Sequence, residues 1–257
     1  MRLVGKLAVV TGGGRGIGRE AARLFSREGA HVAVADIDLD SATATVDLIR
    51  SEAGSAEAVQ VDVAVASSVE AMVRWAEETL GGLNVMFNNA GIMLPDDLGA
   101  EDTSLDVWHR TIAVNLTGVF LCCKYGLPAM LRTGGGAIVN MGSMVAHIGS
   151  AVPQISYVAT KGGVVAMTRE IAIQYARRNI RANALCPGPV RTELISSLVA
   201  TPAQHERRRV HLPLGRFADP AEIAQVALFL ASDESSYVTG MSYLVDGGIS
   251  AAYVTPE

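Results

Sequence analysis

Tyr157 and Lys161 stand four residues apart in a strongly helical segment, with Ser143 a little upstream. Four residues make slightly more than one helical turn, so both side chains project from one face, about 6 Å apart along the axis. Such a pair can do acid–base chemistry. A free phenol has a pKa of about 10, and lowering it by ~3 units requires about 4 kcal/mol of preference for the phenolate. An ammonium ~4 to 5 Å away in an effective dielectric near ~20 supplies roughly that amount. Ser143 follows the apolar run GAIVNM and can hydrogen-bond a reacting oxygen and polarise a carbonyl. By itself Tyr-x-x-x-Lys is more often an ordinary helix face, so the case depends on what precedes it in the chain.

Upstream, TGGGRGIG at Thr11 to Gly18 directly follows the run LAVVT and opens a helical pattern. Gly12, Gly14, Gly16 and Gly18 let the backbone bend and approach a pyrophosphate. The helix N-terminus offers unpaired N–H groups and its positive dipole end to that charge. Arg15 and Ile17 complete the loop. Past Gly18, VAVAD ends on Asp36, where a carboxylate can accept both hydrogen bonds of an adenosine ribose diol. The same carboxylate repels a 2′-phosphate, so NAD is the expected cofactor and NADP the less favoured one. Arg15 complicates the choice, because it could reach a 2′-phosphate, lie over the adenine or stay in solvent. Asp62-Val63 and Asn88-Asn89-Ala90-Gly91 end the third and fourth apolar runs, at the carboxyl edge where doubly wound sheets bind ligands. Asn-Ala-Gly after a strand also makes a good turn, so a structural role for that segment stands beside ligand contact.

These residues need a scaffold that gathers strand ends, and the hydrophobic pattern describes one. Strands are expected at LAVVT, HVAVAD, 57–61, 84–88, 136–141, 180–185 and 242–246. Helices fall between them, near 16–29, 41–53, 67–80, 104–131, 156–178 and 220–232, with Ser41, Ser67 and Asp219 before Pro220 as expected caps. Continuous Val, Ile, Leu and Ala runs suit parallel strands buried on both faces. Right-handed crossovers then give an α/β Rossmann fold, a doubly wound seven-stranded parallel sheet with helices on both faces. The 257 residues are read as one domain without repeat or linker. The stretch from Pro187 to Leu214 has no clear periodicity and three further prolines, at 189, 202 and 213, and reads as a loop or short-helix lid.

Hydrophobic residues are 49% of the chain and charged residues 18%, which excludes disorder and points to apolar surface buried between subunits. A net charge of −5 leaves no footprint for a phosphate backbone, so nucleic acid is not an expected partner. The apolar stretch GVFLCCKYGLPAML is interrupted by Lys124 and Pro128, so no membrane span is expected. The N-terminal apolar run leads into a glycine loop with no cleavage site, and a cytoplasmic location is expected. Cys122, Cys123 and Cys186 lack C-x-x-C spacing and the histidines form no ligand pattern, so buried thiols and no metal are expected.

In order along the chain, TGGGRGIG, Asp62-Val63, NNAG at 88–91, Asn115 in VNLTG, Ser143, Tyr157 with Lys161, PGPVRT at 187–192 and VDGG at 245–248 resemble the motifs of the short-chain dehydrogenase/reductase family. The resemblance covers essentially the full length. It implies that Asn115 holds a water linking Lys161 to solvent. It also implies that the segment with Pro187 and Gly188 faces the cofactor, the backbone of Val190 and the hydroxyl of Thr192 contacting the nicotinamide carboxamide. Many family members carry isoleucine where this chain has Val190, which leaves a backbone contact possible. A homotetramer built on helices 104–131 and 156–178 is implied as well.

On that resemblance, Ile92 to Thr103, Met144 to Ser156 and the 187–214 lid should line the substrate side. Met93, Leu94, Met144, Val145, Leu194 and Ile195 describe a lipophilic pocket, while His147 and Gln154 either touch a substrate hydroxyl or cap loops. ERRR at 206–209 is read as the charged surface of a lid helix in preference to an anion site. The expected activity is hydride transfer between NAD and a small-molecule secondary alcohol or ketone. An NADPH-dependent 3-oxoacyl-carrier-protein reductase and a non-catalytic NAD sensor are the alternatives. Asp36 argues against the first, and the intact set Asn115, Ser143, Tyr157 and Lys161 against the second.

Overall fold

Val and Ala fill both faces of a strand without presenting a polar side, and the runs LAVVT and HVAVAD accordingly lie inside a parallel sheet. The computed structural model describes residues 1–196 and 201–251, apart from the side chains of Leu194 and Ser196. Its strands are β1 (Leu7–Thr11), β2 (His31–Asp36), β3 (Ser55–Gln60), β4 (Val85–Asn88), β5 (Gly136–Met141), β6 (Ile180–Pro187) and β7 (Ser242–Val245). They form one parallel sheet in the order β3-β2-β1-β4-β5-β6-β7. The order reverses between β1 and β4, so the crossovers leave opposite faces there and open a crevice at the strands' carboxyl ends.

Helices α1 (Gly16–Arg27), α2 (Leu39–Ser51) and α9 (Pro220–Ala231) cover one face, where Phe25, Ile49 and Leu228 belong to one buried cluster. Helices α3 (Ala66–Leu80), α4 (Leu105–Ile112), α5 (Gly118–Arg132) and α6 (Ile155–Tyr175) belong to the other side, whose cluster includes Met72, Leu127 and Val164. The doubly wound seven-stranded sheet expected from the sequence is therefore present. Within the lid stretch lie two short helices, α7 (Glu193–Ser196) and α8 (Pro202–Arg209), while residues 197–200 of that stretch fall outside the described residues.

Local details differ from the sequence reading. Helix α2 begins two residues early because Asp38, not Ser41, is its cap: the Asp38 carboxylate accepts from Ser41 N at 3.2 Å. Ser67 does not cap α3, which starts at Ala66 after Val65. Asp219 does cap α9, its N–H donating back to Glu222 Oε2 at 2.8 Å, with Pro220 in the first turn. The expected helix 104–131 is interrupted by a π-helical turn at Ala113–Thr117. The stretch Leu105–Arg132 is long and apolar enough to cross a membrane by length and composition, yet half of its most apolar window is buried inside the fold. There Leu121, Cys122, Cys123 and Leu127 join the sheet's core.

One buried polar chain ties together the three elements that carry the site. Asn88 Nδ2 at the end of β4 donates to Asn140 Oδ1 on β5 at 2.8 Å, and Asn140 Nδ2 donates to Thr168 Oγ1 on α6 at 2.9 Å. All three residues are buried, where a stranded donor costs its full desolvation. Asn140→Leu is expected to lower unfolding free energy by about 2 kcal/mol in urea titration. A loss below about 0.5 kcal/mol would mean that the chain contributes nothing beyond its shape.

Candidate active site

A cavity of about 1450 Å³ follows the carboxyl edge of the sheet. Gly12, Arg15, Gly16 and Ile17 form one end of it, with Asp36 beside them; Asp62, Val63, Asn89, Ala90 and Gly91 continue the wall. Ser143, Tyr157 and Lys161 line the same space, as do Pro187, Gly188, Val190 and Thr192. Gly14, Gly18 and Asn115 are not on its surface; they hold the wall from behind.

The glycine loop is built for close approach. Gly12 has φ of +63°, and a Cβ there would sit 2.9 Å from Ala90 Cα. A Cβ on Gly18 would meet the Gly12 carbonyl oxygen at 2.0 Å, so the loop can fold onto α1 only as glycine. Arg15 is the N-cap of α1 and makes no side-chain cap bond, which leaves first-turn N–H groups for an anionic ligand. Asn89 Nδ2 donates to the carbonyls of Thr11 and Gly12 at 3.0 and 3.1 Å, so its side chain has the structural role the sequence left open. Asp36 Oδ2 accepts from Gly14 N at 2.9 Å, which fixes the carboxylate at the cavity wall. A dinucleotide fits this cradle: bare glycine backbone and a helix N-terminus for its pyrophosphate, and a fixed carboxylate for a ribose diol. Arg15 is held elsewhere, by Asp38 at 2.9 Å, Ser41 at 3.0 Å and Glu193 at 3.3 Å.

At the other end, α6 presents Tyr157 and Lys161 on one face. Lys161 is buried; its Nζ donates to the Met141 carbonyl at 2.7 Å and lies 5.4 Å from the centre of the Tyr157 ring. Ser143 side-chain hydrogen bonding favours the Tyr157 phenolate, but burial outweighs it and pushes the phenol up to about 12. Burial likewise pulls Lys161 down to about 8. Burial of Tyr157 therefore opposes the downward shift expected from Lys161. Asn115 sits in the π-helical turn, with Oδ1 accepting from Ile92 N and Nδ2 donating to Ile92 O, both at 2.8 Å. Both polar atoms of its side chain are thus anchored on Ile92.

Asp97 is a site residue that the sequence reading passed over. It is buried, lines the cavity, and accepts from Ser156 N at 3.0 Å and Tyr157 N at 2.8 Å. Leu98 O accepts from Ile155 N at 3.0 Å, so one loop satisfies the orphan donors at the start of α6 and fixes the backbone of Tyr157. The only local signal was a pair of acids in a segment that otherwise reads as pocket wall. Met93, Leu94, Met144, Val145 and Ile195 line the cavity as expected, whereas the Leu194 side chain lies outside the described residues. Gln154 lines it too, with Nε2 donating to Ser150 Oγ at 2.7 Å. His147 is not part of the lining. Arg207 and Arg208 border it as well, on a helix that is otherwise the charged surface helix expected from the sequence.

Residues 12–250 match the family described as Enoyl-(Acyl carrier protein) reductase. A short-chain type dehydrogenase/reductase from Mycobacterium marinum superposes with a TM-score of 0.93 at 35% identity, covering 98% of both chains. The chain belongs to the short-chain dehydrogenase/reductase family. Among relatives of this short-chain oxidoreductase, the cyclohexanol dehydrogenase of Acinetobacter sp. is 42% identical, over 96% of this chain and 95% of that one. A 2,5-dichloro-2,5-cyclohexadiene-1,4-diol dehydrogenase of Sphingobium indicum is 36% identical, over 97% of this chain and 98% of its own. The family uses nicotinamide cofactors, in keeping with the glycine cradle.

Asp97→Ala is expected to lower stability by about 1 to 2 kcal/mol and to reduce kcat more than cofactor affinity, because it frees the first turn of α6. Denaturant titration and NADH fluorescence measure the two effects; unchanged kcat would show that Asp97 does not position Tyr157.

Proposed function

We propose that this protein is an NAD-dependent dehydrogenase that interconverts a secondary alcohol and its ketone. The observation that carries the reading is the convergence of Ser143, Tyr157 and Lys161 on the cavity that Asp36 borders at its other end. Bound oxidised nicotinamide supplies the hydride acceptor and a positive charge next to the phenol. Tyr157 Oη takes the hydroxyl proton during oxidation and returns it during reduction. Ser143 Oγ would hydrogen-bond the substrate oxygen, and Lys161 Nζ would favour the phenolate and hold the nicotinamide ribose. Asn115 anchors the loop at Ile92, and a water at its backbone would pass protons from Lys161 outward.

NAD is favoured over NADP on two grounds. Asp36 repels a 2′-phosphate, and the loop's own arginine is already paired with Asp38 and Glu193. The same two contacts argue against an NADPH-dependent carrier-protein reductase. Apolar walls from Met93, Leu94, Met144 and Val145 suit a ring, as do the names of the two cyclic-alcohol relatives. Leu105, Phe120 and Ile173 are exposed on α4, α5 and α6, which supports assembly through these helices into a homotetramer.

Tyr157→Phe should abolish turnover of cyclohexanol with NAD while NAD binding by calorimetry stays near normal; retained turnover would refute the assignment. Oxidation requires the phenolate and reduction the phenol, so kcat/KM for oxidation should rise with pH and that for reduction should fall. Parallel profiles in the two directions would exclude Tyr157 as the titrating group. Asp36→Ala should narrow the preference for NAD over NADP on the order of tenfold, read as the ratio of kcat/KM values.

A further inference from the structure

The lid helix α8 reads PAQHERRR, and Gln204, Arg207 and Arg208, with His211 just beyond its end, recur at i, i+3, i+4 and i+7. All four line the cavity that holds Ser143 and Tyr157. A helix closing over an apolar pocket ordinarily turns apolar residues inward. This one contributes two arginines to the cavity border instead, Arg208 half-buried and Arg207 exposed. Its remaining arginine, Arg209, is engaged with Glu206 and with the Gly215 carbonyl. Arg207 and Arg208 have no ion pair or side-chain hydrogen bond among the described residues, although Glu206 lies directly beside them in sequence.

The carboxylates that share the cavity are committed elsewhere. Asp36 accepts from Gly14 N and Asp38 N, Asp62 from Ala64 N, and Asp97 from Ser156 N and Tyr157 N, while Glu193 pairs with Arg15. Among the described residues, none pairs with the two arginines. The cavity is thus apolar beside the reacting groups and cationic where α8 covers it.

Resting on the dehydrogenase reading above, we propose that this face of α8 is an anion subsite. The substrate is then a secondary alcohol or ketone that bears an oxyanionic group, such as a carboxylate, sulfonate or phosphate, remote from the reacting carbon. Planar guanidinium groups match such anions with paired N–H donors. Because Arg207 is exposed, the attraction is screened by salt.

The test uses secondary alcohols whose spacer of increasing length ends in a carboxylate, a phosphate or the uncharged primary amide, with NAD and the full chain. For at least one spacer, kcat/KM for an anion should exceed that for the amide on the order of tenfold at low ionic strength, and the gap should close as NaCl is added. The Arg207→Ala/Arg208→Ala double variant should bring the anion down to the amide's level. Equal values for anion and amide at every length overturn the subsite, and so does a preference that survives in the double variant. A second readout is independent of turnover: calorimetric titration of the NADH complex with the saturated acid lacking the hydroxyl, and with its amide. If no alcohol is oxidised yet the acid binds more tightly than the amide and loses that advantage in the double variant, the dehydrogenase reading fails and the subsite stands. If acid and amide bind alike, the subsite fails whatever the turnover.

Discussion

Two ionisable groups buried side by side, Tyr157 and Lys161, set the constraint that the rest of this molecule satisfies. Burial disfavours both the phenolate and the ammonium, pushing the first up to about 12 and the second down to about 8. The protein alone therefore keeps Tyr157 protonated at neutral pH, with Lys161 closer to losing its proton than an exposed lysine. On the proposed reading, the oxidised cofactor brings the positive charge that makes the phenolate accessible. Acid–base competence and cofactor occupancy then become one event, which discourages proton abstraction when no hydride acceptor is present.

Holding that pair in place requires cooperation among elements far apart in sequence. Helix α6 is anchored at its start by Asp97, along its length by the chain through Asn140 and Thr168, and at Lys161 by the Met141 carbonyl. Each anchor leads back to a strand or loop at the carboxyl edge. A parallel sheet makes this possible because every strand delivers its following loop to the same side. The π-helical turn at Ala113–Thr117 belongs to the same arrangement, since it carries Asn115 to the Gly91–Ile92 loop where that side chain closes two hydrogen bonds.

The alternation of strands and helices was legible because Val- and Ala-rich runs such as LAVVT and HVAVAD admit few other buried forms. The glycine loop and Asp36 were legible because their function depends on local spacing. The cap of α2 was expected at Ser41 and is Asp38, three residues earlier; its carboxylate reaches the Ser41 N–H. The π turn left no trace in the pattern, since apolar residues continue through it. Asp97 was hidden for a different reason: its partners lie about sixty residues away, and no local pattern marks a cap supplied from another segment. That Arg207 and Arg208 border the cavity was likewise invisible, because which side of a short charged helix meets a cavity is decided by packing and not by composition.

The most direct test of the account is an ultraviolet phenolate titration of the native protein against its Tyr157→Phe variant, with and without NAD. The difference signal isolates Tyr157. The account predicts a midpoint far above neutrality for the protein alone and a fall of about 3 units or more when oxidised NAD is bound. An unchanged midpoint in the NAD complex would contradict the claim that cofactor charge turns this buried phenol into a base.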